Sequence, residues 1–129
     1  MKILLFAFLA SVVLSCTEAG DRYVKRFDMV DINKTLIPDT TINLDYLQIR
    51  AKAQADNGCW SKLYFELKKT KDFEYSLKAY GTYESFGVCP DKVVSQDTLI
   101  DFQPTQKGTY LFYISRVPNK AEIDTMIVE

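Results

Sequence analysis

Asn57-Gly58-Cys59-Trp60 places a cysteine between a turn-forming pair and the only tryptophan of a 129-residue chain. A cysteine beside glycine and an aromatic residue can act as a nucleophile when a neighbouring base takes its proton, because the thiolate attacks and the thiol does not. The same residues also suit a disulfide at the end of a β-strand. Histidine decides between the two. The chain has none, so it lacks the side chain most used for proton transfer near neutral pH and as a metal ligand.

Cys59-Trp60 resembles only the last two positions of the C-G-[SA]-C-[WY] signature of papain-like proteases, which also need a histidine and an asparagine far downstream. Without the base the nucleophile fails. A zinc site from Cys59, Cys89 and a carboxylate is equally poor, since structural zinc takes four ligands, chiefly Cys and His. The P-loop, dinucleotide-binding and nucleophile-elbow patterns are all missing. Carboxylates cluster in DTTINLD (39–45) and KDFEYS (71–76), and glycoside hydrolysis does use a carboxylate pair, so a small carboxylate-dependent hydrolase stays as the least favoured alternative. Acidic residues on wet strand faces and turns explain these runs without chemistry. DKVVSQD (91–97) lacks the regular ligand spacing of a calcium loop. The expectation is a protein with no catalytic residue, no cofactor and no metal.

Composition narrows the partners. With 16 basic and 17 acidic residues the formal net charge is -1, which provides no broad cationic surface for a phosphate backbone, and nucleic acid is not an expected partner. An apolar fraction of 47% with 26% charged residues suits one globular domain.

Residues 1–15 carry one early positive charge, Lys2, and then an apolar run from Ile3 to Leu14. That is the pattern of a secretory signal peptide, too short for a permanent membrane span of ~20 residues. The run ends in Val13-Leu14-Ser15-Cys16, which resembles the lipobox of bacterial lipoproteins. The resemblance implies cleavage after Ser15, acylation of Cys16, and a membrane anchor of two or three acyl chains. An ordinary signal peptide that leaves Cys16 as a free thiol is the alternative. Three cysteines in an exported chain leave one over after pairing. Lipid on Cys16 accounts for it, and Cys59 and Cys89 remain for a disulfide. Residues 16–31 read as a lipidated N-terminus and tether, within which a short strand can begin near Arg22, and 32–129 as the domain.

Within that domain the hydrophobic period is two. Leu47, Ile49, Ala51 and Ala53 alternate with Gln48, Arg50, Lys52 and Gln54, and the pattern recurs in 62–69, 73–83 and 109–115, more weakly in 97–102 and 123–128. With 32–37 as an edge strand, seven short strands separated by turn signals predict an all-β, seven-stranded antiparallel β-sandwich. FQPTQKGTYLFYI (102–114) resembles the corner before strand F of immunoglobulin-like domains, with Gly108 two residues before Tyr110 and Phe112 two beyond it. The resemblance implies an immunoglobulin-like sandwich in which the Tyr110 hydroxyl bonds to backbone a few residues upstream.

If successive strands run up and down, the loops holding Cys59 and Cys89 lie at one end, together with RVPNKAE (116–122). Asn57, Trp60, Tyr83, Phe86, Arg116 and Lys120 would then gather there, and aromatic residues with arginine dominate binding hot spots. Trp60 has two open roles: lid of the disulfide, or centre of a recognition surface. The chain as a whole resembles small single-domain lipoproteins of Gram-negative bacteria. The expectation is an envelope-anchored, non-catalytic module, on the outer membrane rather than the inner, with its domain in the periplasm or at the cell surface. It would contact a protein or glycan through the cysteine-bearing end. The alternative is an accessory subunit that pairs with its partner along a sheet edge.

Overall fold

The computed structural model describes residues 22–42 and 44–129. The expected signal peptide and Cys16 lie outside the described residues. Eight strands follow in order: β1 (Val24–Leu36), β2 (Thr40–Thr41), β3 (Leu47–Ala55), β4 (Trp60–Lys71), β5 (Glu74–Ser85), β6 (Val94–Phe102), β7 (Gly108–Arg116) and β8 (Lys120–Val128). Where alternation is clean it sorts the faces as expected: Ile49, Ala51 and Ala53 are fully buried while Gln48 and Arg50 are exposed.

The strands form one mixed, strongly curled sheet, a half-barrel. Its order is β2-β8-β7-β5-β1-β3-β6, with β4 on β5 as well. β1 produces the curl. Its residues Val24–Val30 pair antiparallel with β5, whereas Asp31–Leu36 pair antiparallel with β3, across an irregularity between Ile32 and Lys34. A strand shared in this way turns one wall of the sheet toward the other. Ile32, Ile49, Ala51, Ala53 and Phe102 then meet Leu77, Ala79, Tyr110, Phe112, Ile114, Met126 and Val128 in one buried core. Tyr75, Phe102, Tyr110 and Phe112 pack ring to ring within it, the Tyr75–Phe102 and Phe102–Phe112 centroids lying 5.0 and 5.3 Å apart.

The corner before β7 has the bonding that its residues imply. The Tyr110 hydroxyl donates to the Gln106 carbonyl at 2.8 Å and accepts from the Gln106 N–H at 3.1 Å. Gly108, at φ +148°, stands where a Cβ would lie 2.7 Å from the Phe73 ring, so both its backbone angle and its neighbour exclude a side chain.

Three expectations change. Among the described residues there are eight strands and not seven, because the two residues of β2 are too short to leave a period. The sheet is mixed, since β2–β8 and β5–β7 pair parallel. And β1, which starts at Val24 within the tether stretch where a short strand near Arg22 is expected, is not short but runs 13 residues to Leu36. Its first half is held through backbone bonds to β5, with exposed side chains from Val24 to Asp28, so nothing in hydrophobic spacing announces it.

Candidate functional site

The β3–β4 and β5–β6 connections are tied together at one end of the half-barrel. Cys59 and Cys89 are bonded, with their Cα atoms 5.2 Å apart. Asn57 builds the first loop: its Oδ1 accepts the Cys59 N–H at 3.0 Å. Gly58 N–H donates to the Pro90 carbonyl at 2.8 Å, and a Cβ on Gly58 would stand 2.9 Å from that proline ring. Asn57 is therefore a turn residue whose side chain is already committed to the loop.

Tyr83 touches the disulfide. Its phenol O–H donates toward Cys89 Sγ at 3.2 Å. Trp60 lies opposite Tyr83 in the β4–β5 register, edge to face, with centroids 5.3 Å apart. The Arg26 guanidinium sits 4.5 Å from the Tyr83 centroid and 6.0 Å from that of Trp60, within cation–π range of both rings. Gly81 makes room beneath: a Cβ there would come within 3.1 Å of the indole and 2.5 Å of Leu63.

Beside this stack a cleft of about 510 Å³ opens where β1 leaves β5 for β3, a volume in the range of small-ligand sites. Val30, Ala55 and Trp60 give it an apolar side, with Met29 and the exposed Val117 from the β7–β8 turn. Asp31, Asn33, Gln54 and Asp56 supply the polar groups. Asp31 Oδ1 accepts the Val117 N–H at 3.2 Å and so locks the turn to β1. Asn33 Nδ2 donates to Gln54 Oε1 across the β1–β3 pair. The arrangement can receive a ligand with an apolar face and several hydroxyl or amide groups.

The six expected binding residues divide. Trp60 and Tyr83 meet directly. Phe86 is 67% exposed and packs on Tyr23, with centroids 4.9 Å apart. Arg116 pairs with Glu122, its Nε donating to the carboxylate at 2.9 Å, and Lys120 is exposed opposite it in the β7–β8 register. The cation over the rings is Arg26. Arg26, Asp31 and Asn33 lie on β1 and escaped sequence reasoning, because charged and apolar residues fall on both faces from Val24 to Asp31 and no alternation marks the strand there. Among the described residues no group of three or more Cys, Asp or Glu side chains is arranged to hold a metal ion.

No protein-family model matches this chain, and it matches no curated protein and no solved structure.

Proposed function

We propose that this protein is a non-catalytic, lipid-anchored module of the bacterial cell envelope that recognises a protein or glycan through its Cys59/Cys89 end. Cleavage after Ser15 and acylation of Cys16 anchor it, on the outer membrane rather than the inner, with the domain in the periplasm or at the cell surface. The observation that carries the binding role is the cleft beside Trp60. It combines an aromatic and aliphatic side with four polar side chains.

We also infer that the curled sheet is a variant of the immunoglobulin-like sandwich. The order β1-β3-β6 follows strands A, B and E of that fold, β7 and β8 follow F and G, and the Tyr110 corner precedes β7 as it precedes F. The parallel β5–β7 pairing departs from it.

Affinity capture with the acylated protein from its own membranes tests the binding role. Asp56→Lys combined with Trp60→Phe changes one exposed carboxylate and the ring at the cleft, and should release the captured partner. Capture that survives both substitutions would transfer the contact to a sheet edge, and a turnover abolished by one carboxylate substitution would replace binding by hydrolysis. Intact mass tests the anchor, since acylated material starts at Cys16.

A further inference from the structure

One group of exposed apolar side chains takes no part in the cleft. Tyr23, Phe86 and Val88 are 50%, 67% and 86% exposed, and none of them lines it. Phe86 rests on Tyr23, whose hydroxyl donates to Glu84 at 2.8 Å. That bond to the carboxylate raises the Tyr23 pKa and keeps the phenol neutral. The loop carrying Phe86 and Val88 is pinned at both ends, by the Gly87 N–H on Ser85 Oγ at 3.1 Å and by the disulfide at Cys89. Exposed apolar side chains on a fixed loop lose little further freedom when they are covered.

The position of this tip identifies what covers it. Tyr23 precedes the first residue of β1, and only seven Cα-to-Cα steps separate it from Cys16 in sequence. Fully extended, they reach ~23 Å at ~3.3 Å per residue, less than the thickness of a bilayer core. An acylated Cys16 therefore confines Tyr23 to within that distance of the anchored residue. Arg22 and Lys25 flank Tyr23 and are exposed. Aromatic residues with adjacent cations favour the headgroup layer, where the rings are half-solvated and the cations meet anionic lipid.

We propose that Tyr23, Phe86 and Val88 form a membrane-docking tip that seats in the headgroup region of the bilayer carrying the anchor, with Arg22 and Lys25 against anionic headgroups. The proposal rests on acylation of Cys16. Docking fixes the orientation of the domain, whereas a lipid on a free tether would only fix its distance, and it leaves the cleft residues uncommitted.

The test uses the full-length lipoprotein, acylated in cells and reconstituted into vesicles of phosphatidylethanolamine and phosphatidylglycerol with brominated acyl chains. Trp60→Phe removes the native indole, and Val88→Trp or, at the opposite end, Lys107→Trp supplies a reporter. Both reporter sites are exposed, so neither substitution disturbs the core. Docking predicts that the indole at position 88 is quenched roughly two-fold or more by brominated lipid while the one at 107 is unaffected, because interfacial aromatic residues sit against the acyl boundary. Adding Phe86→Ser and Tyr23→Ser should bring the first reporter down to the second. Equal, weak quenching at both sites in acylated, vesicle-bound protein overturns the docking and leaves the anchor standing. A blue-shifted, unquenched indole at position 88 means that a second copy covers the tip, and also overturns it. An unmodified Cys16 by intact mass overturns anchor and docking together.

Discussion

The phenol oxygen of Tyr83 lies 3.2 Å from the sulfur of Cys89, so the same ring that faces Trp60 and Arg26 also braces the disulfide. The bridge joins residues 30 apart, and closing a loop of that length stabilises a fold by about 3 to 4 kcal/mol through the unfolded chain. Replacing Cys59 and Cys89 by alanine should cost that order of stability in urea denaturation. Tyr83→Phe keeps the ring and removes only a bond to a weak acceptor, so it should cost about 0.5 kcal/mol. A loss as large from Tyr83→Phe as from the double cysteine variant would mean that the phenol, and not the cross-link, holds this end.

Tyr110→Phe isolates the corner. The ring stays in the core and two bonds to Gln106 disappear. Because Gln106 is exposed, water can take up its backbone groups, and the expected loss is about 1 kcal/mol in place of a buried-polar penalty. Thermal denaturation should show a lower Tm with an unchanged β signal in circular dichroism.

Gly81→Ala tests the packing under the indole. Its Cβ would meet Leu63 and Trp60 within 2.5 and 3.1 Å, and overpacking of this kind costs about 1 to 3 kcal/mol. The Trp60 emission should shift with it, since the indole must move. An unchanged spectrum together with wild-type stability would show that the ring does not lie against β5.

Asp97 and Arg50 give a pH-dependent pair on the outside of the sheet. The Arg50 guanidinium donates twice to the Asp97 carboxylate, at 3.0 and 2.8 Å, and this hydrogen bonding holds the carboxyl below its usual range. The folded pKa is depressed relative to the unfolded one. The pair's contribution is therefore present above the unfolded carboxylate range and is lost as pH falls through the lower folded value. Carboxyl NMR should place the Asp97 midpoint below that of an unpaired aspartate. Arg50→Gln should raise it, and an unmoved midpoint would exclude the ion pair in solution.

Much of the architecture was legible because alternation reports burial. The spacing of Ile49, Ala51 and Ala53 points them inward, and all three are buried. Cys59 and Cys89 were paired from their number and from the strand order, and they are bonded. The cleft was not legible. It exists because β1 changes partner between Val30 and Asp31, and a strand's own side chains say which face is wet but not which strand lies beside it.

An all-β chain, its inward faces, its disulfide and the turn at Asn57-Gly58 are written in the order of residues, because each rests on local chemistry or on a count. The folding of distant segments onto one another settles that the strands make one curled, mixed sheet, that Arg26 lies over Trp60 while Arg116 pairs with Glu122, and that Val117 closes the cleft onto Asp31. Those outcomes come from backbone pairing between segments far apart in the chain, and no period or composition encodes the partner of a hydrogen-bonded edge.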